Sequence, residues 1–265
     1  MIALRSHLST ARHWLAWVRA HKHFALLLLL SIIATGVWAF VGIAEEVMEG
    51  DTQQFDEWAV RALRRADDPA TPIGPTFLHE IGRDLTALGG VFVCTLVTLG
   101  VCGYLLMIRK YHAMWLVVGA TLGGLLISTI LKHSFGRERP DIVPHLSHVY
   151  TSSFPSGHAM LSAVVYLTLG SLLARFVPHR AVKVYLLMVA LMLTLLIGVS
   201  RVYMGVHYPT DVLAGWTAGL VWATICYLVA RRLQIQGTVE RDVDEPGGAE
   251  AKRESEQQAA ANRGS

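Results

Sequence analysis

The chain is dominated by a series of apolar runs, each long enough to cross a hydrocarbon core of about 30 Å. Six are legible, at about 24–44, 88–108, 112–131, 157–177, 182–200 and 210–230. Inside lipid a backbone must satisfy its own hydrogen bonds, so runs of this length span as helices. Of the 265 residues, 53% are hydrophobic and 16% charged, where an ordinary soluble domain carries about a quarter charged. The sequence predicts an all-α fold: a six-span transmembrane helical bundle occupying residues 1–233, with an amphipathic helix lying on its outer surface.

Cys94, Cys102 and Cys226 all fall within spans, where cysteine behaves as a small apolar residue and reports nothing about redox compartment. A net charge of +3 is too small to suggest nucleic acid, and no basic patch interleaved with aromatics occurs, so no nucleic-acid partner is expected. The first apolar run, about 20 residues, is longer than the ~7–15 of a signal-peptide core. It is read as a retained span, although Gly42 and Ala44 mimic a small-x-small cleavage site. Most of the 23 basic residues lie before the first span, at 109–110, at Arg175, Arg180 and Lys183, and from Arg231 onward. The positive-inside bias makes that side cytoplasmic. Residues 234–265 are polar, mixed in charge and poor in aromatics, the composition of a disordered cytoplasmic tail.

Between the first two spans, Asp51 and Gln54 suit a helix N-cap and its N3 partner. Phe55, Trp58, Ala59, Ala62 and Leu63 follow at helical spacing, with Arg61, Arg64 and Arg65 largely on other faces. That pattern fits an interfacial amphipathic helix. It is either a lid packed on the bundle or a surface that admits anionic lipid. In the third span, Gly119, Gly123 and Gly124 predict close helix packing.

Three polar islands interrupt the apolar pattern, all on the outer side: "KHSFGRERP" from Lys132, "PSGH" from Pro155, and "SRVYMGVHYPTD" from Ser200. Ionisable groups at membrane ends are costly and mark function or interface. Lys132, Arg139 and Arg201 are three donors with no acidic run to match them. The guanidinium fork suits phosphate oxygens, and the ammonium supplies a compact point charge. Ser156 is a natural N-cap, so the first amides of the fourth span form an anion site. Gly157 allows close backbone approach to it. Asp211, four residues after His207, can hold one ring N–H and leave the other nitrogen free to attack. His158, beside the phosphate amides, can protonate a leaving oxygen. No His/Cys/Asp cluster has metal-ligand spacing, so neither metal nor other cofactor is expected; fixed cations offset phosphoryl charge instead. Arg137 is read as loop solvation, Asp141 as a possible arginine partner, and His112, His133, His145, His148 and His179 as interfacial or loop residues.

These islands resemble the type 2 phosphatidic acid phosphatase superfamily, whose site is shared with vanadium haloperoxidases. The family pattern runs K-x6-RP, PSGH, SR-x5-H-x3-D. Lys132 with Arg139-Pro140, Pro155 to His158, and Ser200-Arg201 with His207 and Asp211 meet each position and spacing. The similarity covers about residues 85–230. It implies that His207 attacks phosphorus to give a phosphohistidine, that Asp211 orients it, and that His158 protonates the leaving group. Lys132, Arg139, Ser156, Gly157 and Arg201 would bind the phosphoryl oxygens. The expected activity is metal-independent hydrolysis of phosphate monoester or diphosphate bonds on lipids, with membrane lipids as the surroundings. The expected location is a bacterial inner membrane with the site facing the periplasm. Phosphatidate, phosphatidylglycerophosphate and undecaprenyl diphosphate are all open as substrates. A lipid phosphotransferase using the same intermediate, or a membrane transporter, are the alternatives; a haloperoxidase fits six spans poorly.

Overall fold

In the computed structural model, the backbone is described for residues 2–141 and 152–235, and side chains for 24–141 and 152–233. His145, His148 and the tail from residue 236 lie outside these ranges. The helices are α1 (Ile2–Glu49), α2 (Gln53–Ala62), α3 (Thr76–Leu88), α4 (Val91–Met107), α5 (Tyr111–Ser134), α6 (Gly157–Arg175), α7 (Arg180–Tyr203) and α8 (Pro209–Ile235). The described residues contain one isolated bridge, Arg64 with Pro72, and no strand. Five helices are long and apolar enough to span a membrane. The bent pair α3 and α4 makes a sixth when taken as one span.

Helix α6 is the centre of the bundle. Ala159 to Val165 are buried without interruption, so this segment is enclosed all round rather than on one stripe. It packs on α5, α7 and α8, while α1 lies along α8 and α4 against α5 and α6. Small residues set these approaches, because in lipid packing rather than water exclusion drives helix association. A Cβ at Gly219 would stand 2.6 Å from Ala163 Cβ and 2.7 Å from the Met160 carbonyl. One at Gly124 would meet Val164 at 2.8 Å, and one at Gly123 would run into the Trp222 ring. Gly119 has nothing within 4 Å, so the close-packing expectation fails at that position alone of the three. The indoles of Trp216 and Trp222 donate to Thr194 O (3.0 Å) and Ala120 O (2.8 Å), tying α8 to α7 and α5.

Two expectations for the outer loop need correction. Helix α2 exists, but its N-cap is Thr52, with no side-chain capping bond. Its buried residues are Asp56 and Val60, whereas Phe55 and Trp58 are exposed. Phe55 and Trp58 therefore face away from the bundle, as suits an interfacial helix, while Asp56 and Val60 point in, where the neighbouring elements offer Asp56 hydrogen-bond partners. The second correction is α3, which ends at a 53° bend from α4 at the start of the expected second span. His79, Glu80, Arg83 and Asp84 make it too polar to read as part of a span. Gly89 and Gly90 form the bend, as glycine pairs commonly do.

Candidate active site

The three islands meet at one end of the bundle, where α5 ends, α6 begins, and α7 turns into α8. His207 is 1% exposed and Asp211 fully buried. The turn Met204 to Tyr208 joins α7 to α8, with Gly205 at φ +69° giving it a left-handed step that favours glycine. Because α8 starts at Pro209, His207 and Asp211 lie one turn apart, and His207 Nδ1 sits 3.3 Å from Asp211 Oδ2. The same carboxylate oxygen accepts from the Tyr208 amide (2.9 Å) and from Ser153 Oγ (2.5 Å). Ser153 Oγ is also 3.3 Å from His207 Nδ1.

With Nδ1–H directed at an acceptor, the Nε2 lone pair is left facing the cations. Arg139 Nη1 lies 3.5 Å from it and also donates to Val206 O at 3.2 Å. Burial pushes His207 down from 6.5 to about 3, outweighing the hydrogen bond to Asp211, so the ring is neutral near pH 7. Burial likewise lowers Arg139 from its ordinary value, with Asp211 pulling it back.

Around this histidine stand the other expected groups. Lys132 Nζ donates to Ser152 O at 2.9 Å, and its Cε would lie 3.1 Å from a Cβ on Gly157. Glycine at 157 thus keeps the ammonium against the start of α6. Arg201, Lys132, Arg139 and His207 all lie within electrostatic reach of His158. A Cβ at Gly89 would meet the His158 Cβ at 3.4 Å, and His158 Nε2 would lie 3.8 Å from one at Gly90. The helix break thus packs directly against His158. Ser156 begins α6 as its N-cap without a side-chain capping bond, and its amide donates to Asp211 O at 2.9 Å. Among the described residues, Ser156 Oγ, Arg139 Nε and Arg201 Nε are buried without a protein partner. Such groups are costly to desolvate unless a ligand satisfies them. No group of three His, Cys, Asp or Glu among the described residues is arranged to hold a metal. His112, His133 and His179 are exposed.

Two residues escaped the sequence reading. Ser153 is fully buried beneath the His207–Asp211 pair. Arg137, expected to be a solvated loop residue, has only 8% of its side chain exposed and pairs with Asp211 Oδ1 (2.7 Å) and Asp56 Oδ2 (2.6 Å). It also lies over the Tyr208 ring at 4.4 Å. Two buried carboxylates drew it out of solvent. Removing one partner of such a buried pair costs about 3–5 kcal/mol. Outside this layer a cavity of about 450 Å³ is lined by Gln53, Glu57, Arg61, Arg137, Glu138, Arg139, Asp141 and Tyr208.

The PAP2 superfamily model matches residues 112–235. Phosphatidylglycerophosphatase B of Bacillus subtilis is 33% identical over 186 residues, 69% of this chain and 86% of that protein. This chain belongs to the PAP2 superfamily. Lipid A 1-phosphatase of Rhizobium etli is 29% identical over 61% of this chain and 77% of its own length. The crystal structure of the first transmembrane PAP2 type phosphatidylglycerolphosphate phosphatase from Bacillus subtilis superposes with a TM-score of 0.68 at 27% identity. It matches 76% of this chain and 96% of that one. The protein is an integral membrane PAP2 lipid phosphatase, a hydrolase of phosphate esters.

Proposed function

We propose that this PAP2 phosphatase hydrolyses lipid phosphate monoesters or diphosphates at the periplasmic face of a bacterial inner membrane, through a phosphohistidine on His207. The observation that carries the reading is the placement of His207. Its Nδ1 is fixed by Asp211, and its Nε2 faces Arg139 beside buried donors of Ser156, Arg139 and Arg201 that lack protein partners. Three phosphoryl oxygens are a natural complement to Lys132, Arg139, Arg201, Ser156 and the opening amides of α6, including that of Gly157.

In the first step the Nε2 lone pair forms a bond to phosphorus as the bond from phosphorus to the lipid oxygen breaks. His158 delivers a proton to that oxygen. Asp211 accepts the Nδ1–H throughout and stabilises the positive charge that develops on the ring. In the second step His158 takes a proton from water, the resulting hydroxide attacks phosphorus, and the N–P bond breaks to release inorganic phosphate. Fixed cations, already in place before reaction, stabilise the five-coordinate phosphorus.

The bias of basic residues toward the other end of the bundle supports the external position. The polar cavity above Arg139 suits a hydroxylated or phosphorylated headgroup, and the relative named for phosphatidylglycerophosphate supports a glycerol-bearing substrate. Purified protein in detergent, offered phosphatidylglycerophosphate, phosphatidate and undecaprenyl diphosphate, should release inorganic phosphate from at least one, with phosphatidylglycerophosphate fastest. Transfer of phosphoryl to an added lipid alcohol, with none to water, would make it a phosphotransferase instead.

A further inference from the structure

The outer loop touches the turn that carries His207 at both of its ends. At the first end, the Arg64 guanidinium donates to Tyr203 O, the last residue of α7. A cation there also complements the negative end of the helix dipole. At the second end, Asp56 accepts from the Thr210 amide (3.2 Å) and Thr210 Oγ (2.5 Å) in the first turn of α8. Between them, Arg137 bonds Asp56 through Nη2, and through Nη1 it bonds both Asp211 Oδ1 (2.7 Å) and Thr210 Oγ (2.8 Å).

The two Asp211 oxygens thus have separate duties. Oδ2 faces His207 Nδ1, Ser153 Oγ and the Tyr208 amide, and Oδ1 faces Arg137. A carboxylate held on both edges cannot rotate about its terminal torsion, which is otherwise broad. Its orientation, and hence that of the imidazole, depends on Arg137, whose other nitrogen is fixed by Asp56 at full burial. Asp56 comes from α2, outside the membrane-spanning bundle.

From this we infer that Arg137 and Asp56 are positioning residues for the nucleophile. They form a chain Asp56–Arg137–Asp211–His207 that makes catalysis depend on the docking of the outer helix α2. The inference rests on His207 being the nucleophile. It assigns α2 a role distinct from lipid admission, and it places in the site an arginine outside the K-x6-RP positions. Arg137 does not bind phosphate in this scheme, because both its terminal nitrogens are committed to carboxylates. The phosphate groups Lys132, Arg139 and Arg201 come from α5, the loop after it, and α7, and do not involve α2.

The prediction is a separation of rate from binding. Arg137→Gln should lower kcat on the order of 10²-fold, the scale set by a misplaced reacting group. Asp56→Asn, which leaves Arg137 in place but untethered, should lower kcat about 10-fold on the same ground. The vanadate inhibition constant should stay within about threefold in both, because the phosphate cradle is untouched. Adding Asp56→Asn to Arg137→Gln should cost nothing more, as expected of residues acting in series. Arg137→Lys keeps the charge but loses the fork, and should recover only part of the rate.

Vanadate-induced thermal stabilisation checks that each variant is folded with its cradle intact. If Arg137→Gln does not fold, Asp56→Asn decides alone: loss of kcat at constant vanadate affinity supports the inference, and parental kcat overturns it. Parallel loss of kcat and vanadate affinity in the folded variants would mean a structural role only. His207→Ala is the separate control. If it turns over, the nucleophile assignment itself fails. If it is inactive while Arg137→Gln and Asp56→Asn match the parent, only the positioning chain fails.

Discussion

His207 Nε2 stands 3.5 Å from Arg139 Nη1, while His207 Nδ1 lies 3.3 Å from the carboxylate of Asp211. One nitrogen is held and the other faces a cation that also suits a phosphoryl oxygen. This arrangement separates the roles of the two histidines by leaving group. His207→Ala should fail on every substrate. General acid catalysis is worth about 10²–10⁴-fold where the leaving oxygen needs a proton. His158→Ala should therefore be most impaired on phosphatidate, less on a polyprenyl diphosphate, and least on p-nitrophenyl phosphate. Equal losses across the three, measured as kcat/KM, would reduce His158 to a binding group.

The cations around His207 predict behaviour toward metals. With Lys132, Arg139 and Arg201 binding the phosphoryl oxygens as proposed, their fixed charge would replace that of a divalent cation. Phosphate release should persist in excess EDTA. Vanadate should inhibit competitively by matching five-coordinate phosphorus. Activity lost in EDTA and restored by Mg²⁺ would contradict this assignment of the cradle.

Burial of His207 also couples stability to pH. The ring takes up a proton near 6.5 when unfolded and only at about 3 when folded. Between those values the unfolded chain binds more protons, so stability is complete above 6.5 and falls as pH drops toward 3. The slope is about 1.4 kcal/mol per pH unit for one such group. Thermal unfolding in detergent should show a smaller fall in midpoint from pH 7 to 5 for His207→Gln than for the parent. Parallel curves would show that His207 remains accessible to protons in the folded protein.

The packing of the central helix gives a prediction free of the active site. Gly219→Ala drives a methyl into Ala163 and the Met160 carbonyl, and overpacking of this kind costs about 1–3 kcal/mol. Gly119→Ala meets nothing within 4 Å and replaces the poorer helix former, so it should be neutral or stabilising by up to about 1 kcal/mol. Equal destabilisation by both, read from unfolding midpoints, would contradict the α6–α8 contact described above.

The legible part of this protein is the part written locally. Lys132 and Arg139, Ser156 to His158, and Arg201, His207 and Asp211 each sit on one helix end or turn, where spacing determines relative position. The spans were legible because crossing lipid demands length and apolarity. Arg137 was not, because its carboxylate partners are 81 and 74 residues away and nothing in its own loop marks them. Helix α2 is legible as an interfacial helix, but the inward direction of Asp56 is not. At a membrane surface, Phe55 and Trp58 can be left exposed, while the bundle rewards a carboxylate that pairs with Arg137 and Thr210. Helix α3 was missed because its polar residues hide it from a search for apolar runs, and only the bend at Gly89–Gly90 joins it to α4.

In the proposed mechanism His207 carries the phosphoryl group between the two steps. The most direct measurement is a rapid quench of the parent enzyme with a phosphorus-labelled lipid phosphate. The quench should be alkaline, to preserve a phosphoramidate, and followed by peptide mass spectrometry. Label is expected on the peptide containing His207, formed no slower than product appears and absent from His207→Ala. Turnover without label on that peptide, together with inversion at phosphorus in a chiral substrate, would mean direct attack by water and would contradict the mechanism.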